Sequence, residues 1–244
     1  MSTLVRTQNA MTAKDRICLA LDMDTAAAFT LANRVQVGWV KVGMELYTEA
    51  GPELIRELKK LGFKIFLDLK YHDIPNTVKG AVTKAAALGV DLINVHAAGG
   101  PAMLKAAAEV PSRPSIIGVT LLTSLSAKEL GEHMLVDPPV VEAYVTHMAI
   151  QCRDCGLDGV VASAEEAKPV RDVVGDDFLI VTPGIKPLWA AENADQKRIT
   201  TPAQAIKNGA DILVIGRAIY GANDPSIAVQ KIADEISQQL NVKS

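Results

Sequence analysis

Asp68 and Lys70 stand two residues apart at the end of an aliphatic run, and Asp73 follows just beyond it. If that run is a strand, residues two apart share a face. The carboxylate and the ammonium then meet, and Asp73 brings a second carboxylate to the same lysine. A lysine held between carboxylates keeps its proton, because neighbouring opposite charge favours the charged form. Such a lysine is a proton donor; a Schiff-base nucleophile needs the neutral amine. A structural ion-pair network fits the same residues, and spacing alone leaves both readings open.

A second candidate is Gly216-Arg217, which follows another aliphatic run. Glycine lets a phosphate approach the backbone, where free amides bind it; the plainer alternative is a tight turn with a surface arginine. The four histidines, His72, His96, His133 and His147, show no ligand spacing, and no carboxylate triad suggests a divalent metal. His96, at the end of a run, either lines a site or is a satisfied structural group. Cys152 and Cys155 form a C-x-x-C late in a helical stretch, without the second pair that a zinc site needs. There is no G-x-S-x-G and no G-x-G-x-x-G after the first run.

The elements that must position these groups are legible as alternation. Aliphatic runs lie at 17–22, 37–43, 64–70, 91–96, 115–122, 158–163, 178–184 and 211–216. Short runs rich in β-branched residues read as strands buried on both faces. Between them, 25–35, 52–61, 76–88, 101–110, 138–155, 164–174, 202–208 and 225–240 read as helices, several opened by proline or closed by glycine. Eight strands alternating with eight helices predict an α/β fold, a single (β/α)8 TIM barrel over 15–244. A doubly wound open sheet is the alternative, although no linker marks an added domain. The polar segment 1–14 reads as a flexible tail without the apolar stretch of a signal peptide. Connections at 122–137 and 183–200 are long, which in compact domains usually signals function. In such a barrel the site lies at the C-terminal ends of the strands. Asp22, Lys41, Asp68, Lys70, His96, Thr123 and Arg217 all fall there.

Bulk properties agree. The chain has 244 residues, 49% hydrophobic and 22% charged, but only 4% aromatic, so its core is aliphatic. A net charge of −3 argues against a nucleic-acid polymer or a membrane surface as partner. No apolar run approaches the length of a membrane-spanning helix. Three cysteines suit a reducing cytoplasm.

The segment DLKYHDIPNT, 68–77, resembles the D-x-K-x-x-D-I-x-x-T signature of the orotidine 5′-monophosphate decarboxylase family. LALD at 19–22, KVG at 41–43, LLTSL at 121–125, TPGI at 182–185, DQKR at 195–198 and IGRA at 215–218 resemble family segments in the family's order, with a bacterial character. The resemblance implies a cofactor-free decarboxylase that turns orotidine 5′-monophosphate into UMP in de novo pyrimidine synthesis. It implies that Lys70 donates the proton, and that Asp68, Lys41 and Asp73 complete a charged array around it. Asp22 and Lys41 would bind ribose, Thr123 would lie at the pyrimidine, and Gln196, Gly216 and Arg217 would hold the phosphate. Asp73 and Thr77 would reach into the partner's site of a homodimer. One departure is Lys186, where the family pattern has arginine after TPGI; lysine keeps the charge but loses the planar fork. Two other readings compete: a metal-assisted sugar-phosphate aldolase or keto-acid decarboxylase, and a nucleotide-binding barrel without activity.

Overall fold

In the computed structural model, residues 11–137, 140–190 and 200–243 are described. The eight aliphatic runs form eight strands: β1 Ile17–Ala20, β2 Trp39–Gly43, β3 Lys64–Tyr71, β4 Leu92–His96, β5 Ser115–Val119, β6 Gly159–Val161, β7 Leu179–Thr182 and β8 Ile212–Ile215. They pair in parallel in chain order, and β8 closes on β1. The fold is the (β/α)8 barrel that the alternation predicts, not an open sheet.

Strand residues divide by parity, as the two-residue period requires. Ile17, Leu19, Val40, Val42, Ile65, Leu67, Ile93 and Val95 pack outward against the helices. Cys18, Trp39, Phe66, Leu92, Ile117, Leu179 and Ile212 fill the barrel interior. One step further along the inward face come Ala20, Lys41, Asp68 and Asn94. An apolar layer thus supports a polar one from below, and three of its four members are polar.

The helices depart from the sequence reading in three places. α1 spans Thr25–Ala32, and α2 spans Met44–Lys60, beginning well before position 52. Gly51, at φ 63° and ψ −159°, breaks α2 into two helices, and Pro52 opens the second. α3 Pro75–Ala87 and α4 Gly100–Ala108 fall where expected. The connection 122–137 contains an unforeseen helix, α5 Ala127–Met134, which starts in a reciprocal capping box between Ser126 and Glu129 and is anchored by buried Leu130. Its start signal, Ser-x-x-Glu, stands in the sequence. α6 Val141–Asp154, α7 Ala167–Val174 and α8 Pro202–Lys207 follow. The short α9 Arg217–Tyr220 precedes α10 Pro225–Lys243. At the chain's start, Met11 is buried in the barrel interior, and Thr12 bonds to Asp15 through both its amide and its hydroxyl. Residues 11–14 therefore belong to the barrel's closed end, although the composition of 1–14 reads as tail.

That closed end carries a repeated clamp. Asp91, Asp158 and Asp211 immediately precede or lead into β4, β6 and β8. Each carboxylate accepts the amide of a residue on the preceding strand, Ile65, Ile116 and Ile180, at 2.7, 2.8 and 2.8 Å. Each also pairs with a cation: Lys59 with Asp91, Arg113 with Asp158, Arg171 with Asp211. The corresponding position before β2 is Gly38, where a Cβ would lie 2.6 Å from the Asp15 Cα and no side chain fits. Removing Asp158 leaves the buried Ile116 amide without its acceptor and takes the carboxylate from Arg113, which keeps only the carbonyls of Ala108, Pro114 and Gly156. Asp158→Ala is expected to lose about 3–5 kcal/mol of unfolding free energy, read from urea denaturation. A loss below about 1 kcal/mol, the scale of an exposed ion pair, would show that the clamp contributes little.

Candidate active site

Three inward-facing polar residues of consecutive strands, Lys41 on β2, Asp68 on β3 and Asn94 on β4, sit side by side at the barrel mouth. The Lys41 ammonium lies 2.9 Å from Asp22 Oδ1 and 3.4 Å from Asp68 Oδ2. The Lys70 ammonium lies 2.7 Å from Asp68 Oδ1. Charge therefore alternates along one line, Asp22, Lys41, Asp68, Lys70.

Burial makes this line electrostatically consequential. Lys41 and Asp68 are each only 9% exposed. Burial opposes ionisation of Asp68, but the Lys41 and Lys70 ammonium groups, with hydrogen bonds from Lys70 and Asn94, hold its pKa below the ordinary carboxylate value. Burial likewise opposes charge on Lys41, yet Asp68 and Asp22 raise its pKa. Both groups stay charged at neutral pH. His96, close behind, is pushed the other way: burial and the neighbouring His72 and Lys70 lower its pKa and favour the neutral ring. The two imidazoles lie 5.1 Å apart.

Asp68 and Lys70 do meet, but not as neighbours on a regular strand. Leu67 pairs with Ile93 and Tyr71 with Val95, so four steps on β3 oppose two on β4. Within this bulge Lys70 adopts φ 49°, the left-handed region that a non-glycine residue rarely enters. Bulges commonly re-aim a side chain beside a site, and this one swings Lys70 back onto Asp68.

Asp73 does not flank Lys70 within the protomer. It is exposed, its carboxylate accepts the Ile74 amide at 2.6 Å, and among the described residues no ion pair joins it to Lys70. Thr77, in the first turn of α3, is exposed beside it, as is Ile74 at 66%. Chain direction explains the difference: β3 has ended and the chain has turned outward into α3 before Asp73 can point inward.

A cavity of about 230 Å³ joins the array to the opposite side of the mouth. Asp22, Lys41, Gly184, Lys186, Gly216, Arg217 and Tyr220 are among its lining residues. Lys186 is held there by a backbone bond to Thr200 at 3.0 Å, and Arg217 opens α9 directly after β8. A Cβ on Gly216 would come within 3.3 Å of Tyr220 and 3.5 Å of Ala20, so this wall stays open because it is glycine. Thr123 is exposed in the turn after β5 and is not among that cavity's lining residues. Gln196 lies outside the described residues. Among the described residues no group of three His, Cys, Asp or Glu side chains is placed to hold a metal ion. Cys152 is buried, and burial pushes its thiol up to about 12. Burial also raises Cys155; neither thiol has the lowered pKa of a reactive cysteine.

Sequence reasoning passed over Asn94. Its carboxamide donates to Asp68 Oδ1 at 2.6 Å and accepts the Lys70 amide at 2.8 Å. The available signal was a lone amide at the inward parity of an otherwise aliphatic strand.

Fold and site together define a (β/α)8-barrel protein with an alternating carboxylate–ammonium array at the strand ends and a cationic cavity beside it. Residues 15–232 match the orotidine 5′-phosphate decarboxylase / HUMPS family, and the chain belongs to that family. It is 49% identical over 230 residues to the orotidine 5′-phosphate decarboxylase of Nitrosomonas europaea, covering 92% of this chain and 98% of the relative. It is 45% identical over 234 residues to the enzyme of that name from Nostoc sp., covering 91% and 98%. The crystal structure of orotidine 5′-phosphate decarboxylase from Lactobacillus acidophilus superimposes with a TM-score of 0.80 at 37% identity, covering 90% of this chain and 98% of that one.

Proposed function

We propose that this protein decarboxylates orotidine 5′-monophosphate to UMP and CO₂ as a step of pyrimidine nucleotide synthesis in the cytoplasm. The observation that carries the reading is the Asp22–Lys41–Asp68–Lys70 array at the barrel mouth of a chain from this family.

The bond between C6 and the carboxyl carbon breaks, CO₂ leaves, and the electron pair stays on C6. No adjacent carbonyl receives that pair, so stabilisation must come from fixed charge. The Lys70 ammonium supplies it and then gives its proton to C6; solvent returns a proton to the amine. Fixed charges act strongly in a preorganised site from which water is excluded. The most proficient enzymes lower barriers by up to about 23 kcal/mol, more than one ammonium provides. Binding of the remote phosphate contributes when it strengthens the transition state rather than the ground state alone. Asp22 and Lys41 hold ribose hydroxyls, Thr123 reaches the pyrimidine end, and Gly216, Arg217 and Lys186 receive the phosphate, with Gln196 added from the 183–200 connection. Lys186 offers a point charge where the family pattern has a fork. Asp73 and Thr77 act across a homodimer; their exposed position beside Ile74, turned away from the protomer's own array, supports that reading.

The reaction is expected to need neither cofactor nor metal. Purified protein given orotidine 5′-monophosphate in excess EDTA should remove the substrate's ultraviolet absorbance and yield UMP. Absence of UMP overturns the proposal; activity that returns only with Mg²⁺ favours the metal-assisted alternative. Arg217→Ala should raise KM by roughly 10- to 100-fold, the effect of about 1.5–3 kcal/mol for a charged hydrogen bond. The same change should do less harm to a substrate lacking its phosphate, and equal loss on both substrates would remove Arg217 from the phosphate site.

A further inference from the structure

Asn94 is 1% exposed in the interior of β4. A buried amide without partners is costly, but this one is satisfied by two groups of opposite sense. The Lys70 backbone N–H is only a donor, and the Asp68 carboxylate has only acceptors. A carboxamide accepts from the first through its oxygen and donates to the second through its nitrogen, and only one orientation of the amide does so. The bonds fall on the β3 bulge, where Lys70 is held at φ 49°. Such backbone persists only when its surroundings over-determine it. Asp68 Oδ1 receives both Asn94 Nδ2 at 2.6 Å and Lys70 Nζ at 2.7 Å, so one side chain fixes the carboxylate and the backbone of the lysine that contacts it.

We propose that Asn94 is a positioning residue for decarboxylation: its carboxamide locks the left-handed turn at Lys70 to the Asp68 carboxylate and so aims the ammonium at the reacting carbon. This rests on the decarboxylase reading. Buried behind the array and bonded to Lys70 and Asp68, Asn94 acts through those two residues.

Asn94→Asp is nearly isosteric and gives a readout that general loss of packing does not. Ionised, the introduced carboxylate faces Asp68, repels it and donates nothing. Protonated, its hydroxyl donates to Asp68 while its carbonyl accepts the Lys70 amide, and the clamp is restored. The other charged or titratable groups near it are Lys70 on β3, Lys41 on β2 behind Asp68, His96 further along β4 and Cys18 on β1. Burial and Asp68 favour the protonated form of the new carboxyl, while the Lys70 and Lys41 ammonium groups oppose it, and the first two are expected to prevail as pH falls.

At about pH 8, kcat of Asn94→Asp should fall about 100-fold, the scale of an ångström-sized misplacement, while the Kd for UMP changes by less than about threefold. Its kcat relative to the unaltered enzyme should then rise as pH is lowered towards about 6. Asn94→Leu, which can neither donate nor accept, should stay low throughout. A ratio that is flat with pH, or kcat within about twofold in both variants, overturns the proposal. If the unaltered protein gives no UMP, the decarboxylase reading fails, and the clamp is judged separately by crystallography of Asn94→Leu, or of Asn94→Asp at about pH 8 should the leucine variant not fold. Loss of the Lys70–Asp68 contact supports the clamp, and retention of that contact with the same Lys70 backbone overturns it.

Discussion

Lys70→Ala is expected to abolish turnover while leaving UMP bound. The ammonium is assigned two duties, stabilising charge at C6 and delivering a proton to it. General acid catalysis alone is worth about 10²–10⁴-fold, and a preorganised charge in a dry site about 10²–10³-fold. Together they set a fall in kcat on the order of 10⁴-fold or more. The Kd for UMP, which has no departing carboxylate, should move only severalfold, because Arg217, Lys186 and Asp22 are untouched. Single-turnover assays beside a UMP titration separate these quantities. Lys70→Arg sharpens the result: it keeps a cation near Asp68, but guanidinium does not give up its proton. Its kcat should stay about 10²–10⁴-fold below that of the unaltered enzyme, above Lys70→Ala only by what the retained charge contributes. Substantial activity in Lys70→Arg would mean that charge alone suffices; near-normal activity in Lys70→Ala would remove the lysine from the mechanism.

The fold was legible because every strand is an aliphatic run and most helices carry a proline or glycine at an end. The polar end of the barrel was legible too, because Asp22, Lys41, Asp68, Lys70 and Arg217 interrupt apolar sequence at or near the ends of four strands. What eluded the sequence was local backbone geometry. The period-two rule brings Asp68 and Lys70 to one face only in a regular strand, whereas here a bulge and a left-handed residue bring them together. Asn94 was absorbed into its run because its role depends on a partner strand 26 residues away from it at Asp68. The α5 helix carried a legible capping box, but its single buried anchor, Leu130, gives too little periodicity to stand out. Asp73 carried the opposite lesson: nearness in sequence to Lys70 did not mean nearness in the protomer, because α3 leads the chain outward.

That outward position leads to the second large effect. Asp73→Ala should also lower kcat by about 100-fold or more if its carboxylate completes the array of another subunit, as removal of a preorganised electrostatic group does. The decisive form of the experiment mixes two inactive proteins. In a two-fold symmetric dimer each site would take Lys70 from one protomer and Asp73 from the other. A heterodimer of Lys70→Ala with Asp73→Ala then carries both defects in one site and none in its second site. Unfolding and refolding an equal mixture makes about half the dimers hybrid, so activity should return to about a quarter of the unaltered level. If Asp73 instead served its own protomer, both sites of the hybrid would remain defective and nothing would return. Sedimentation of the same samples shows whether dimers formed, so a monomeric protein, which would overturn the shared site outright, is distinguished from a dimer whose sites are self-contained. Recovery therefore depends on which protomer supplies the carboxylate, and the exposed Asp73–Ile74–Thr77 surface favours the partner's site.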